Sequence, residues 1–159
     1  MAEVTLSPLR GEDFEQWRES CLADYGRQRV ELGGDSAAEA EAHVARTRTE
    51  LFPDGGLAAG SVAFAALAPD GRRVGVLWLA RQESSPGQPH IYVYDIEVAE
   101  AERGRGFGRA VMAAAEDYAR SQGVDELRLN VFGGNDVARA LYRSLGYRET
   151  SVQMSKRLV

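Results

Sequence analysis

The sequence predicts one α/β domain, in which helices flank a β-sheet. Three features indicate this class: two β-prone runs joined by a turn, a strand whose two-residue period slips by one position, and an amphipathic helix that follows a loop rich in glycine and arginine. The chain has 159 residues, of which 44% are hydrophobic, enough to build one core. We therefore expect residues 1–159 to form a single domain.

The front of the chain predicts a short strand followed by two charged helices. Gly33 and Gly34 separate the two helical segments, and Asp35-Ser36 offers residues that favour helix N-termini. Both helices have broad polar faces. The three predicted elements cover residues 4–9, 11–32 and 35–51.

The next segment predicts a β-hairpin. Residues 61–67 and 73–80 are β-prone runs, and the sequence Ala-Pro-Asp-Gly lies between them. Pro69 and Gly71 suit a tight reversal of the chain. A polar loop at residues 84–89 then leads into the following strand.

The strand at residues 91–98 contains a predicted β-bulge. Its aliphatic residues fall at 91 and 93 and then at 96 and 98, so the alternation slips by one around Tyr94 and Asp95. One inserted residue would place all four aliphatic side chains on the buried face and leave Tyr92 and Glu97 on the other face. Because a bulge breaks pairing locally, it can also open a cleft.

The remaining elements alternate between helices and extended segments. Positions 107, 110, 111, 114 and 118 form the apolar stripe of a helix over residues 107–120, which Gly123 follows. Asn135 and Gly146 are placed to cap and to stop another helix. We expect a strand at 126–131, this helix at 135–145 and an extended tail at 147–158.

Charge and composition argue against several function classes. The formal net charge is −5, so no global positive field is available to hold nucleic acid or an anionic membrane. Cys21 is the single cysteine, and His43 and His90 are isolated, so neither a disulfide nor a metal site is expected. Neither a signal peptide nor a run of ~20 apolar residues is recognisable. We expect a cytoplasmic protein without a metal.

Residues 103–109, Arg-Gly-Arg-Gly-Phe-Gly-Arg, form a candidate phosphate site. Glycines let a backbone approach an anion closely, the N–H groups of the following helix N-terminus point outward, and the arginines add local positive charge. A Walker loop needs a Gly-Lys-Ser/Thr ending that is absent, and the dinucleotide fingerprint has its third glycine one position further on. The alternative is a loop whose arginines are simply solvated.

Two elements of the chain resemble the GNAT superfamily of N-acetyltransferases. The family signature Arg/Gln-x-x-Gly-x-Gly/Ala is similar to residues 103–108, and its Asn-capped helix ending in Leu-Tyr-x-x-x-Gly-Phe/Tyr is similar to residues 135–147. The resemblance covers residues 61–147. It implies a mixed, twisted, mainly antiparallel sheet that splays between the bulged fourth strand and the fifth, with the pantetheine arm of acetyl-coenzyme A in the gap, and one bent strand in the tail.

The resemblance also implies a cofactor site and a general acid. Backbone N–H groups of the 103–109 loop would bind the pyrophosphate, and the strand backbone at 96–98 would pair with pantetheine and polarise the thioester. Tyr142 would protonate the departing thiolate, unless it is only a packed tyrosine. Helix capping alone would explain Asn135, and core packing alone would explain Phe107. The predicted cofactor-binding residues are Ile96, Glu97, Val98, Arg103, Gly104, Arg105, Gly106, Phe107, Gly108, Arg109, Asn135 and Tyr142.

A general base is expected because an amine substrate is mostly protonated at neutral pH. Glu97 is the first candidate, since the bulge places it on the non-core face beside the site. Some family members have a glutamate or histidine where this chain has Tyr92, and Asp95 and His90 are further candidates. Cys21 is a poor nucleophile candidate because it lies in the front helical region without a histidine nearby.

The predicted function is an acetyl-coenzyme A-dependent N-acetyltransferase. A primary amine of a small molecule or peptide would attack the thioester directly in a ternary complex. One alternative is a non-catalytic acyl-coenzyme A sensor. Another is a dinucleotide-dependent oxidoreductase, which the hairpin before the glycine loop argues against. We expect the front helices and the 84–89 loop to select the acceptor, and the family is compatible with a homodimer.

Overall fold

The computed structural model describes residues 1–158, which form five strands and four helices. Two short 3-10 turns follow α2 and β4. No helix within this described part is long and apolar enough to cross a membrane. The elements in chain order are β1 Thr5–Pro8, α1 Gly11–Glu31, α2 Ala37–Leu51, β2 Ser61–Leu67, β3 Arg73–Glu83, β4 Pro89–Val98, α3 Phe107–Ser121, β5 Leu127–Leu129 and α4 Asp136–Ser144.

The five strands form one open, mixed sheet in the order β1-β2-β3-β4-β5. The first four strands are antiparallel neighbours, and β5 lies parallel to β4. A parallel neighbour requires a crossover connection, which α3 supplies. The predicted α/β class with a mainly antiparallel sheet is therefore confirmed.

The sheet separates two hydrophobic clusters that share no residue. Because alternate side chains of a strand point to opposite faces, Leu77 and Leu79 of β3 pack toward α3 and α4, whereas Trp78 packs toward α1 and α2. The α3 side contains Val111 and Met112, both fully buried. The α1 side is an aromatic cluster that includes Trp17, Phe52 and Trp78.

The predicted turns and caps of the front half are present. Ser36 and Glu39 form a capping box at the start of α2, in which the Ser36 hydroxyl accepts from the Glu39 N–H and the Glu39 carboxylate accepts from the Ser36 N–H. Between β2 and β3, the Gly71 N–H donates to the Ala68 carbonyl at 2.9 Å. Gly71 has a φ of +84°, which explains the glycine in this turn.

Gly75 allows β3 and β4 to approach each other closely. A Cβ atom added at Gly75 would lie 2.2 Å from the carbonyl oxygen of Glu97, which belongs to the backbone of β4. No side chain fits there without moving one of the two strands. This contact fixes the part of β4 that follows the bulge.

Three features differ from the prediction: the length of β5, the buried face of α3 and the tail. β5 spans only Leu127–Leu129, because only three residues of β4 pair with it. On α3, Met112, Ala115 and Ala119 are buried more completely than the predicted Ala110 and Ala114, so the stripe is rotated slightly. The predicted bent strand in the tail is wrong.

Residues 147–158 form no strand and pair with none of the five strands. Val152 and Met154 alternate as in a strand but remain 68% and 88% exposed. A hydrogen bond of 2.8 Å from Arg157 to the Gly34 carbonyl connects this segment to the loop between α1 and α2. The tail is thus held by a polar contact, without sheet pairing.

Candidate active site

A β-bulge interrupts β4 at the predicted position. Trp78 of β3 pairs with Asp95 while the next residue, Leu79, pairs with Val93, so Tyr94 is the extra residue. On the other edge of β4, β5 pairs only with Ile91–Val93. The sheet therefore splays beyond Val93 and leaves a gap between β4 and β5, as expected.

Ile96 and Val98 of β4 direct their backbone groups into this gap, because their neighbours pair with β3. The Glu97 carbonyl faces Gly75 of β3, and the Ala99 N–H donates to the Val74 carbonyl at 2.9 Å. Because consecutive strand residues face opposite edges, Ile96 and Val98 point away from β3. Apart from the Val98 carbonyl, which accepts from the Arg103 Nε at 3.1 Å, this edge is free and suited to an extended ligand that pairs as a strand, whereas the backbone of Glu97 is turned away from the gap.

The loop before α3 has the geometry of an anion site. Gly104 and Gly106 have φ values of +72° and +87°, a conformation that favours glycine. Gly106 is the N-cap of α3 and provides no side-chain cap, and the first turn of the helix contains no acidic residue. The N–H groups at the start of α3 are therefore available to an anion.

The arginines of this loop anchor it to the rest of the protein. Glu102, 7% exposed, binds Arg105 at 2.8 Å and also binds Arg72 from the β2–β3 turn. The Arg103 Nε donates to the Val98 carbonyl at 3.1 Å, and Arg109 donates to Ser144 of α4 at 2.7 Å. All three arginines of the loop are exposed, so their side chains are in contact with solvent as well as with these partners. The role of Glu102 was not predicted, because an acidic residue next to a basic loop carries no distinctive sequence signal.

Phe107, Gly108 and Asn135 have structural contacts of their own. Phe107 packs at the edge of the α3-side cluster. A Cβ atom at Gly108 would lie 3.2 Å from Leu141 Cδ2, so this glycine lets α3 and α4 approach closely. The Asn135 side chain accepts from the Ala138 N–H at 3.2 Å and caps α4. Each of these three residues shapes the site through the position of a helix.

Tyr142 lies on α4 at the edge of the α3-side cluster and is 9% exposed. Burial raises the pKa of its phenol to about 12, and the charge of Asp95 adds to the shift. The ring packs 5.8 Å from that of Tyr147. Tyr142 therefore retains its proton at neutral pH and can act as a proton donor.

Asp95 is the titratable group at the bulge itself. Burial raises the pKa of its carboxyl group to about 6, the charge of Glu97 adds to this shift, and the nearby polar groups of Trp17 and Cys21 oppose it. Both of these residues belong to α1. Asp95 ranked below Glu97 as a predicted base because no feature of the sequence indicates that α1 covers the bulge.

The same surroundings make Cys21 unreactive. Burial and the negative charge of Asp95 raise the pKa of its thiol far above the usual range. Cys21 stays protonated at neutral pH and is not a nucleophile. This agrees with the expectation from the sequence.

Glu97 lies on the face opposite that of Ile91 and Val93, as expected from the bulge, but this α1 face carries the aromatic cluster and so is not the predicted non-core face. It lines a groove of about 240 Å³ together with Gln16, Trp17 and Ser20 of α1 and Arg73 of β3. We call these five residues the α1–β4 groove. Glu97 is half-buried and makes no side-chain hydrogen bond or ion pair with residues 1–158. Its carboxylate is free to meet a ligand.

Tyr92 and His90 lie before the bulge on β4, and His90 is the farther of the two from it. Tyr92 contacts the ring of Tyr94 at 4.9 Å, and burial raises the pKa of its phenol. His90 is 5% exposed near Ser84, and burial lowers the pKa of its imidazole. At ~3.3 Å per residue, His90 is roughly 16 Å along the strand from Asp95. The structure places Asp95 and Glu97 on the α1 face at and just after the bulge, Tyr142 in the cluster on the α3 side, and His90 farther along the strand.

Comparisons with known proteins agree with this architecture. The model of the acetyltransferase (GNAT) family matches residues 14–147. The uncharacterized N-acetyltransferase YycN of Bacillus subtilis is 30% identical over 98% of this chain and 99% of its own, and its crystal structure superposes with a TM-score of 0.89. The streptothricin acetyltransferase of Streptomyces lavendulae is 33% identical over 74% of this chain and 66% of its own.

A more distant solved structure shares the fold alone. The aminoglycoside N-acetyltransferase AAC(6')-Iy in complex with CoA has a TM-score of 0.60 and 20% identity, covering 99% of this chain and 96% of its own. The gap between β4 and β5 and the loop before α3 are thus features of a fold that also occurs in a coenzyme A complex.

Proposed function

Because this chain belongs to the acetyltransferase (GNAT) family and is an acyltransferase, we propose that it transfers an acetyl group from acetyl-coenzyme A to a primary amine. The observation that carries the proposal is the free edge of β4 beside the uncapped start of α3. The edge suits pantetheine and the helix start suits pyrophosphate. The relative named for streptothricin acetylation supports a small amine as the acceptor.

In this proposal the chain holds the cofactor through its backbone. The N–H groups at Gly104–Gly108 would bind the pyrophosphate, while Glu102 fixes the loop through Arg72 and Arg105. The backbone of Ile96 and Val98 would pair with pantetheine. This arrangement would place the thioester beside the bulge, where a backbone N–H polarises its carbonyl oxygen.

The chemistry needs one proton acceptor and one proton donor. The amine nitrogen forms a bond to the acetyl carbon, the C–S bond breaks, and the amine proton leaves to a carboxylate. We propose Asp95 as the final acceptor, because a pKa of about 6 is nearest to neutrality, with Glu97 meeting the amine at the groove. Tyr142 would donate its proton to the thiolate.

Cofactor binding is tested first by calorimetry with coenzyme A and acetyl-coenzyme A. Gly106→Trp places a large side chain at the start of α3, and we expect saturable binding to the wild type and none to this variant. The control is Gly87→Trp in the β3–β4 loop, where φ is +78° against +87° at Gly106, so both variants carry similar backbone strain. Equal affinities for the two variants would contradict the proposed cradle.

Removal of the Tyr142 hydroxyl is expected to lower kcat by about 100-fold while the affinity for coenzyme A stays unchanged, since only the departing thiolate needs the proton. The measurement is steady-state release of free thiol by Tyr142→Phe. Tyr147→Phe is the matched control, because burial also raises the pKa of this neighbouring phenol to about 12. A sensor without turnover would release no thiol in any of these proteins.

A further inference from the structure

The α1–β4 groove carries one cationic and one anionic side chain that do not pair with each other. Arg73 and Glu97 both line it, yet their charged atoms are more than 4.0 Å apart. Neither makes a side-chain hydrogen bond or ion pair within residues 1–158. A ligand with two opposite charges would satisfy both.

Arg72, the residue before Arg73, differs from it in having two ion-pair partners. Arg72 binds both Asp70 and Glu102, and the Arg48 guanidinium binds both oxygens of Glu19 of α1 at 2.8 Å. Arg73 and Glu97 are the two charged residues that line the groove, whose volume is about 240 Å³.

The strand register sets the separation of the two charges. Glu97 lies opposite Val76, and Arg73 begins β3 three residues earlier. This spacing corresponds to roughly 10 Å between backbone positions along the strand. The long arginine side chain reduces the distance between the two charged groups. The buried ring of Trp17 lines the groove as its apolar part. The volume equals that of roughly eight water molecules at ~30 Å³ each, which suits a small molecule.

We propose that the acceptor is a small amino acid, whose amine lies at Glu97 and whose carboxylate binds Arg73. This inference rests on the proposed function, since it names the substrate class of the same site. An arginine binds a carboxylate with two parallel hydrogen bonds, which fixes orientation as well as charge. The amine end then lies on the side of the groove next to the bulge, where the acetyl group is expected. The product would be an N-acetylamino acid.

The test compares three matched sets of acceptors at fixed acetyl-coenzyme A: L-amino acids, their carboxamides and the corresponding amines without a carboxylate. We expect kcat/KM to be at least 10-fold higher for the carboxylates. Arg73→Gln should raise KM for an amino acid by roughly 10- to 100-fold with little change in kcat, because the contact is remote from the reacting atoms. Arg73→Lys should restore part of the affinity.

Arg46→Gln provides the matched control, since Arg46 is exposed on α2, outside the groove, and the variant loses the same charge. An Arg46→Gln effect equal to that of Arg73→Gln would overturn the inference. So would equal transfer to carboxamides and carboxylates, or transfer to peptide amines but to no amino acid, and both results leave the proposed acetyltransferase intact. If no amine of any set or peptide accepts the acetyl group, both proposals fail together.

Discussion

Replacement of Asp95 by asparagine is expected to make the protein more stable and much less active. Burial raises the pKa of Asp95 from 3.8 to about 6, so holding this carboxylate charged at neutral pH costs folding free energy. Two pKa units correspond to about 3 kcal/mol, which is an upper estimate of the gain in unfolding free energy. Loss of a general base lowers kcat/KM by roughly 10²- to 10⁴-fold.

The pH dependence gives this prediction a definite sign. A folded-state pKa above the unfolded value means that Asp95 favours folding while protonated, below about pH 4, and that this contribution is lost as pH rises through 6. The stability difference between Asp95→Asn and wild type should therefore grow between pH 4 and 6 and then level off. Wild-type kcat/KM should fall below pH 6 for the same reason, because the base becomes protonated.

Thermal unfolding across this pH range and initial rates of thiol release measure the two effects. Asp13→Asn is the matched control, since Asp13 is exposed on the first turn of α1. Glu97→Gln separates the two carboxylates, because it should lower activity without the same gain in stability. Full activity of Asp95→Asn would show that Asp95 is not the base.

A second large effect is expected from Gly75→Ala, which should destabilise the protein by about 3 kcal/mol or more. The new Cβ atom would lie 2.2 Å from the Glu97 carbonyl, a backbone atom that cannot rotate away. β3 and β4 would have to separate beside the bulge, so acetyl transfer should fall as well.

Denaturant unfolding of Gly75→Ala and Gly133→Ala tests this expectation. A Cβ atom added at Gly133 would meet no other atom within 4 Å, and Gly133 does not have a positive φ. The Gly133→Ala variant should therefore change stability by less than about 1 kcal/mol. Equal midpoints for the two variants would show that the strands can adjust to the extra methyl group without cost.

Local sequence patterns predicted most of the fold. The bulge at Tyr94 was detectable because the aliphatic alternation of a strand must slip by one when a residue is inserted. The turn at Gly71 and the cap at Ser36 depend on the chemistry of single residues, so they were equally readable. The family motif located the loop before α3, but it gave no information about the side chains that hold that loop.

The parts that the sequence did not reveal depend on contacts between distant segments. Burial raises the pKa of Asp95, and its neighbours Trp17 and Cys21 of α1 lie about 75 residues earlier, so no local pattern connects them. Glu102 binds an arginine of the β2–β3 turn. The predicted tail strand is wrong because alternation in residues 147–158 is a local signal, whereas a strand also requires pairing with a neighbour, which these residues do not make.

The separation of the two hydrophobic clusters by the sheet has a consequence for how such a protein can change. α1, which lines the α1–β4 groove, packs on the aromatic cluster, and α3, which follows the 103–109 loop, packs on the α3-side cluster. In the proposed arrangement the acceptor contacts α1 and the cofactor contacts the start of α3, so we expect substitutions on these two helices to have additive effects, as distant sites with no shared contacts do. Under the proposed function, α1 and α2 are therefore the rational targets for directed evolution of new acyl acceptors.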